Sequence, residues 1–396
     1  MMTTNTMSSV AADTTRQSWL ETAGLVGVCA FAATVQFSIA AAQSLLTLTV
    51  LAWVGALVVN RERVSVPPMF WPLLAYAGLT LVSAAFSLDP RASVYDSKQL
   101  LLVLVVPVVY RFARGSRAST VLQVIITVGA LSAVLGVVQY GALGYDSLAR
   151  RVHGLLGHWM TYSGLLMLVT IGTAARLIFD RKDRTWPALI MPALLVAIIV
   201  TFTRSAWVGT CVAVAVLFAV KDVRLAIAAP LVAAALVVVV IVFAPAALTG
   251  RVYSVVNMKD PTNSDRIAML RAGVRIVRDY PLTGVGPNNV KRVYKMYRDP
   301  GSQDWNAPHL HNVPMQIAAE RGLPALAAWL WFIVALSIQV LQRFRLSGRS
   351  AVGAAAFGAI IAMLAAGMFE FNFGDSEFLM LFLAMVTLPF AAEPNR

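Results

Sequence analysis

The sequence predicts an all-α polytopic membrane protein with about twelve transmembrane helices and a helical segment outside the membrane between the ninth and the tenth. Three observations predict this fold class. Hydrophobic residues make up 59% of the 396 residues and charged residues only 13%, unlike the balance of an average soluble domain. Apolar runs recur at lengths near the roughly 17 to 25 residues that a helix needs to cross a bilayer. Every second polar connection between these runs carries Lys or Arg.

The apolar runs are taken in chain order as predicted spans. They cover residues 23–42, 44–59, 69–88, 96–112, 119–140, 160–179, 186–202, 205–220, 224–248, 324–342, 351–370 and 376–392. The pairs 23–59 and 186–220 have almost no polar break between their two spans. The predicted domains are residues 1–248 with nine helices, residues 249–323 as an outer loop domain, and residues 324–396 with three helices.

The positive charges predict the orientation, because short loops rich in Lys and Arg stay in the cytoplasm. With the N-terminus in the cytoplasm, every predicted inner loop is basic. These loops carry Arg61 and Arg63; Arg111, Arg114 and Arg117; Arg181, Lys182 and Arg184; Lys221 and Arg224; and Arg343, Arg345 and Arg349. This bias accounts for much of the net charge of +13. Nucleic acid is therefore not a predicted partner.

Three polar clusters on the predicted outer face are not needed for insertion. The first is "RRVHGLLGH", residues 150–158, and the second is "TFTRSAW", which places Arg204 between two apolar spans. The third, residues 249–312, holds ten Lys or Arg against five Asp. A charge at a membrane boundary usually has a partner or a function. We expect an anionic partner here, the alternative being a solvated basic face.

The long outer segment predicts two short helices. In "TNSDRIAMLRAGVRIVRDYP" the apolar stripe is Ile267, Leu270, Val274 and Val277, with Asn263 or Ser264 as the cap. Arg266 lies on the border of this stripe beside Met269 and Gly273, in the predicted first turn, where free backbone N–H groups also favour an anion. The stretch "LTGVGPNNV" predicts a turn and then a helix opened by Pro287. That basic helix either lies on anionic headgroups or packs on the outer domain.

The stretch "HLHNVPMQIAAERG" places His311 directly before a predicted helix start. Asn312 is a good helix cap before Val313 and Pro314. The positive field of the helix start and nearby arginines favours neutral imidazole, which can accept a proton from a hydroxyl. The alternative is a structural histidine bonded to a loop carbonyl. Further along, Glu320 and Arg321 are predicted to pair before a helix break at Gly322.

These stretches resemble a known family. "DYPLTGVGPNNV" and "HLHNVPMQIAAERGLPALAAWL" resemble the signature region of the bacterial O-antigen ligase and polymerase family, and the arginine of "TFTRSAW" and the predicted architecture also fit. The resemblance implies a membrane glycosyltransferase of the GT-C type in the inner membrane, acting on its periplasmic face. It implies undecaprenyl-diphosphate-linked O-antigen as donor and lipid A core as acceptor, with no metal or other cofactor.

The resemblance also implies roles for particular residues. His311, Arg204 and Arg266 are the expected catalytic residues, with the arginines on the diphosphate and the histidine on the acceptor hydroxyl. A guanidinium suits a diphosphate because it donates two parallel hydrogen bonds. Residues predicted to bind the diphosphate or the glycan are Arg150, Arg151, His158, His309 and Arg271. His153 either lines the site or caps a loop.

Several alternatives stay open at the level of sequence. An O-antigen polymerase or a protein O-oligosaccharyltransferase of the same family uses the same kind of donor. A transporter for an anion or a lipid-linked sugar belongs to another class, and it predicts ionisable groups or repeated broken helices near mid-membrane. Here the charges lie at one face. Asp375 and Glu377 resemble the acidic pair of metal-dependent transferases, although no second acidic cluster supports that interpretation.

Overall fold

The computed structural model describes residues 4–180, 182–222, 224, 246–254, 257, 260–300 and 307–393. The described residues are helical and contain no strand, which confirms the predicted all-α class. The helices are α1 (Thr4–Thr34), α2 (Ile39–Val59), α3 (Phe70–Ala85), α4 (Pro90–Asp96), α5 (Val105–Phe112), α6 (Arg117–Leu143), α7 (Trp159–Phe179), α8 (Thr185–Val200), α9 (Arg204–Lys221), α10 (Ala246–Tyr253), α11 (Pro261–Asp279), α12 (Val290–Tyr297), α13 (Val313–Leu346), α14 (Ala351–Gly367) and α15 (Ser376–Ala392). Two 3₁₀ helices cover Ser97–Leu104 and Asn372–Gly374.

The apolar helices correspond closely to the predicted spans. Six described helices are long and apolar enough to cross a membrane: Ile39–Val59, Pro90–Phe112, Arg117–Leu143, Trp159–Phe179, Arg204–Lys221 and Val313–Leu346. Shorter apolar helices cover Trp19–Thr34, Phe70–Ala85, Thr185–Val200, Ala351–Gly367 and Ser376–Ala392. Every predicted span overlaps one of these helices except 224–248, which lies almost wholly outside the described residues. The predicted break at residue 43 is wrong, because the chain turns at residues 35–38 and Ser38 caps α2.

Two helices form the centre of the bundle. Every residue of α7 from Leu165 to Arg176 is buried, as is every residue of α15 from Phe378 to Ala391. Neighbouring helices surround them, and α14 packs against α7, α9 and α15. A side chain at Gly209 of α9 would place its Cβ 2.9 Å from the backbone oxygen of Ala362 in α14. The absence of a side chain there allows the two backbones to approach closely, as in other membrane helix pairs.

Helices α11 and α12, with loops 280–289 and 307–312, form a compact unit that we call the loop domain. Its hydrophobic core consists of Met269, Ala272, Ile276, Val285, Val290, Val293, Tyr294, Ala307, Leu310 and Ala319. The predicted apolar stripe on α11 is therefore misplaced, since Val274 is 40% exposed. The small side chains beside Met269 allow close packing instead. At Gly273 an added Cβ would lie 2.5 Å from Cγ of Met315.

Both helices of the loop domain begin at other residues than predicted. Helix α11 starts at Pro261, and the carboxylate of Asp260 accepts a hydrogen bond from the N–H of Thr262 as its cap. Arg266 therefore lies in the second turn, beyond the free N–H groups of the helix start. Helix α12 starts at Val290 and not at Pro287, because Asn288 adopts a positive φ of 62° that interrupts a helix.

The loop 280–289 joins the loop domain to a break in α13 through backbone hydrogen bonds. The predicted break is present at Gly322, with φ 81° and ψ 171°, and an added Cβ there would lie 2.1 Å from the carbonyl oxygen of Leu282. The N–H groups of Val285 and Gly286 donate to the carbonyls of Ala319 and Glu320 at 3.0 and 2.8 Å. "LTGVGPNNV" is thus a structural turn, and it satisfies carbonyl groups near the helix break.

Candidate active site

Four arginines gather where α7, α9 and α11 begin. Arg204 is the first residue of α9 and is only 5% exposed. Its Nη1 donates to the backbone oxygen and Oγ of Ser254, at 2.6 and 2.9 Å. Asp260 lies farther away, with Oδ1 at 3.4 Å from Nη1. The guanidinium is therefore held mainly by neutral oxygen atoms, and one long salt bridge to Asp260 offsets its charge.

Arg266 and Arg251 lie beside Arg204 with even less compensation. Nε of Arg266 is buried and has no hydrogen-bond partner among the described residues. Nε of Arg251 donates to the carbonyl oxygen of Phe202 at 3.2 Å, so it too meets a neutral group. In the described parts of the chain, neither guanidinium has a carboxylate within salt-bridge distance. A buried donor without a partner requires an explanation, and a bound anion supplies one.

The positive charges of these arginines lower one another's pKa. Burial, followed by the charges of Arg204 and Arg151, lowers the pKa of Arg251 to about 10. Burial also lowers the pKa of Arg266, which Glu370 partly offsets and Arg204 reinforces. Arg151 shows the same pattern, with burial first and then the charge of Arg204 lowering its pKa. All remain charged at neutral pH, so the cluster carries excess positive charge that an anion would relieve.

The other predicted arginines occupy different positions. The guanidinium of Arg151 lies 5.0 Å from the ring centroid of Trp159, at the start of α7 and within the electrostatic reach of Arg204. Arg150 lies over the ring of Tyr145 at 4.2 Å. Arg271 is on the exposed side of α11, where its side chain is 67% exposed and 3.5 Å from the carboxylate of Asp299. The structure thus places Arg151 with Arg204 and Arg266, and Arg271 away from them.

His311 and Glu370 form a hydrogen-bonded pair. Asn312 caps α13 as predicted, accepting from the N–H of Met315 at 2.9 Å. His311 precedes it with a φ of 50°, an uncommon conformation for a residue other than glycine. Nδ1 of His311 lies 3.1 Å from Oε2 of Glu370, which follows the end of α14. In the described structure Nε2 of His311 makes no hydrogen bond, and the side chain is 16% exposed.

His309 completes this group. Its ring is 4.3 Å from that of His311, edge to face, and its Nε2 is 3.7 Å from Oε1 of Glu370. Burial lowers the pKa of His309, although Glu370 acts in the opposite direction. Burial alone would raise the pKa of Glu370, but the hydrogen bond and charge of His311, with His309 and Arg266, bring it below the ordinary value. Glu370 is thus an ionised carboxylate between the histidines and the arginines.

The same three residues are the described group that could hold a metal ion. One ligand atom from each of His309, His311 and Glu370 lies within 4.8 Å of the others. Two histidines and a glutamate are a ligand set that zinc uses in enzymes. The charge of Arg266, which acts on the same carboxylate, opposes a second cation there. Asp375 and Glu377 offer less, since both oxygens of Asp375 already accept hydrogen bonds from Thr161 and from the N–H of Phe378.

A cavity of about 200 Å³ opens beside His309 and Glu370. We call it the histidine cavity, and its polar lining consists of His158, Thr161, His309, Glu370, Asn372 and Asp375. His158 caps α7, where its Nδ1 accepts from the N–H of Met160 at 3.2 Å. Its ring stacks on Trp159 at 4.1 Å. His158 and His309, far apart in the sequence, therefore share one cavity, whereas His153 packs against Tyr145.

Comparison with known proteins covers the central part of this site. Residues 188–330 match the family model described as O-antigen ligase. This match covers less than half of the chain, and it supports an assignment to the O-antigen ligase family. That enzyme family covers O-antigen ligases and polymerases, which are glycosyltransferase-like. A search of the curated proteins finds no match. The matched region contains Arg204, Arg251, Arg266, His309 and His311, whereas Glu370 lies beyond it.

Sequence reasoning missed two residues of the site. Arg251 was counted only as one of many charges in the outer segment, although it lies next to the end of an apolar run and near Arg204 in the fold. Glu370 is the last residue of the predicted span 351–370 and was given no role. Its one signal was its isolation, since it is the only acid between Glu320 and Asp375. An acid at the end of a membrane helix usually has a partner.

Proposed function

We propose that this protein is an O-antigen ligase, which transfers O-antigen from undecaprenyl diphosphate to a sugar hydroxyl of lipid A core and so completes lipopolysaccharide. The observation that carries the proposal is Nε of Arg266, which is buried without a hydrogen-bond partner among the described residues and lies among three other arginines, near His309 and His311. A diphosphate is the anion that fits a group of guanidinium forks. It is also the leaving group of this reaction.

The arginines would act on the donor. Arg204 and Arg266 donate hydrogen bonds to phosphate oxygens, and Arg251 and Arg151 add positive charge around them. As the bond between the anomeric carbon and the diphosphate oxygen breaks, its electron pair stays on the diphosphate, whose charge increases. Fixed cations that already surround this position stabilise that charge without reorganising. Because the leaving group is a stable anion, it needs no proton.

His311 would act on the acceptor. With Nδ1–H donated to Glu370, the lone pair on Nε2 is free to accept the proton of the acceptor hydroxyl as its oxygen attacks the anomeric carbon. The carboxylate of Glu370 stabilises the imidazolium that results, as the acid does in a Ser-His-Asp triad. The products are the glycosylated core, undecaprenyl diphosphate and a proton that leaves from His311 to water.

We further propose that the reaction needs no metal, because Glu370 serves the histidine and Arg266 supplies the positive charge near it. The test is transfer by purified protein after EDTA treatment, with and without added Zn²⁺ or Mg²⁺. We expect full activity after chelation. An absolute requirement for a divalent ion would assign His309, His311 and Glu370 to a metal site instead.

The proposed site faces the periplasm, and the enzyme lies in the inner membrane. Support comes from the basic loops at the opposite end of the bundle. Single cysteines at positions 183 and 278, in a chain without Cys29 and Cys211, test this orientation. We expect an impermeant thiol reagent added to intact spheroplasts to label position 278 alone. Labelling of both positions from the same side would contradict the topology.

A deletion strain tests the function itself. We expect lipopolysaccharide gels to show core without any O-antigen while lipid-linked O-antigen polymer accumulates. Core that carries a single repeat would instead identify a polymerase. Normal lipopolysaccharide together with an unglycosylated protein would identify a protein O-oligosaccharyltransferase. Complementation with the wild-type chain controls for effects on neighbouring genes.

A further inference from the structure

We propose that the histidine cavity is the subsite for the sugar ring of the acceptor that carries the attacking hydroxyl. This inference rests on the proposed function and adds to it a place for the second substrate. The cavity lies between the start of α7 and the segment that joins α14 to α15, outside the arginine cluster. Donor and acceptor would then bind at separate positions, with His309 and His311 between them.

Two residues of the cavity lining each carry a buried polar atom that lacks a partner in the described structure. Asn372 is 8% exposed, and its Nδ2 donates to the carbonyl oxygen of Met363 at 3.2 Å. That bond fixes the amide, so Oδ1 is the free acceptor, and it has no hydrogen-bond partner among the described residues. Nδ1 of His309 is likewise buried without a partner in the described parts of the chain. Such groups point to a polar ligand.

The size and the other lining residues suit a single sugar ring. At about 200 Å³ the cavity is smaller than the roughly 300 to 1,000 Å³ of sites that hold drug-sized ligands. The rings of Phe371 and Phe378 and the side chain of Met160 supply apolar surface. A pyranose has hydroxyl edges and apolar C–H faces, so it can meet both kinds of surface at once. A lipid chain would leave the polar atoms without partners.

The position of Glu370 connects this cavity to the proposed chemistry. Glu370 lines the cavity and also accepts the hydrogen bond from His311. Its carboxylate interacts electrostatically with Arg266, and also with His158 and Asp375 of the cavity wall. A sugar ring beside His309 would therefore direct its attacking hydroxyl out of the cavity towards His311, whose ring is 4.3 Å from that of His309. The acceptor oxygen would approach the anomeric carbon from the side opposite the arginines.

Asp375 and Thr161 form a rigid wall of the cavity. Oγ1 of Thr161 donates to Oδ2 of Asp375 at 2.5 Å, and Oδ1 caps α15 by accepting from the N–H of Phe378 at 2.9 Å. The bond between these side chains joins α7 to α15, the two most buried helices. A wall with fixed polar groups discriminates between sugars because a misplaced hydroxyl would leave a buried group unpaired. The cavity would therefore select the acceptor sugar.

The test measures acceptor and donor separately in three variants. Asn372→Ala removes the free acceptor atom, and Thr161→Val removes the wall hydroxyl at constant size. Asn60→Ala is the matched control, because Asn60 also donates one side-chain hydrogen bond at a helix end, but at the opposite end of the bundle. Purified protein in proteoliposomes receives undecaprenyl-diphosphate-linked O-antigen and lipid A core. The readouts are the acceptor KM and the Kd for undecaprenyl diphosphate.

We expect Asn372→Ala to raise the acceptor KM about 10-fold or more and Thr161→Val to raise it at least about threefold, with the donor Kd unchanged within twofold. Asn60→Ala should change neither value. An unchanged acceptor KM in both folded cavity variants, while the wild type transfers normally, would overturn the cavity assignment alone. If the wild type transfers nothing to lipid A core, the proposed function and this inference both fail.

Discussion

Buried arginines occur at both ends of the helix bundle, but their surroundings differ. At the opposite end, Arg111 contacts Glu21 and Glu62 at 2.5 and 2.8 Å. Arg176 there contacts Asp180 at 2.9 Å and Asp183 at 3.4 Å. At the site end, buried Arg204 has only Asp260, at 3.4 Å, and the partly buried Arg251 and Arg266 have no carboxylate within salt-bridge distance in the described structure. The buried arginines at the opposite end are neutralised by carboxylates of the chain, whereas the site end carries excess positive charge.

The difference, on the proposed function, separates structural arginines from those that contact substrate. A buried cation without a counterion is costly, so a fold tolerates it only where something else supplies the opposite charge. At the opposite end that partner is part of the chain. At the site end, we infer, it is the diphosphate of the substrate. Glu370 does not remove the excess, because its carboxylate also serves the two histidines.

The largest effect is expected at His311, which lies beside the unpaired arginines but should serve the other substrate. His311→Ala should reduce transfer about 10²- to 10⁴-fold, the usual effect of losing a general base. Binding of undecaprenyl diphosphate should persist because the arginines are intact. Transfer and donor binding are measured on the same folded preparation. Loss of donor binding would move His311 into the diphosphate site, and unchanged transfer would remove it from the mechanism.

Charge-conserving changes sharpen the comparison among the arginines themselves. Arg204→Lys and Arg266→Lys should each reduce transfer about 10²- to 10³-fold, because lysine keeps the charge but lacks the two-pronged donor. Arg275→Lys is the control, since Arg275 is 40% exposed and pairs with Asp299 at 2.7 Å. Arg275→Lys should leave transfer nearly unchanged. Normal ligation by the two site variants at equal protein level would rule out the proposed diphosphate contacts.

Glu370→Gln asks whether the site-end carboxylate serves the histidine or only balances Arg266. If it orients His311 and stabilises the imidazolium, kcat should fall about 10- to 100-fold, while the donor Kd stays the same or improves. The measurement compares the change in kcat with the change in donor Kd. A weaker donor affinity with unchanged kcat would make Glu370 a counterion of the arginine cluster and leave His311 without a partner.

The smallest expected effect concerns stability, and its sign differs between the two ends. Arg111→Met leaves Glu21 and Glu62 without their buried partner and should destabilise the protein by about 2 to 3 kcal/mol. Arg266→Met relieves repulsion from Arg204 and leaves no carboxylate stranded, because Glu370 keeps His311. Its Tm without substrate should be unchanged or higher. Equal losses of Tm in both variants would mean that Arg266 is a structural residue.

Much of the fold was predictable, because membrane insertion imposes patterns that a single sequence displays. The apolar runs, the cap at Asn312 and the break at Gly322 are local features, and the structure confirms the cap and the break. The start of α11 was misplaced because Asp260 with Pro261 competes with Asn263 and Ser264 as a start signal. The buried face of α11 was misread for another reason. Small residues such as Gly273 define a packing surface through the space they leave, which hydrophobicity does not reveal.

The candidate site was predictable only where motif and position coincide. Arg204, Arg266 and His311 stand in or beside recognisable stretches. Glu370 lies 59 residues from His311, and only the fold brings the two together. The cavity could not be read from the sequence, since its wall combines residues near 160, 309 and 372. The excess of positive charge also depends on which carboxylates lie nearby, and composition counts charges without locating them.

The most direct measurement of the central claim is the affinity of purified protein for undecaprenyl diphosphate in the wild type and in matched charge-removing variants. Arg266→Gln should raise the Kd about 10-fold or more, since it removes a charged hydrogen-bond donor from a buried site. Arg275→Gln, at an arginine with its own carboxylate, and the folded fraction of Arg111→Gln should bind as the wild type does. Wild-type affinity in Arg266→Gln, or equal losses in all three variants, would contradict the assignment of the site-end arginines to the diphosphate.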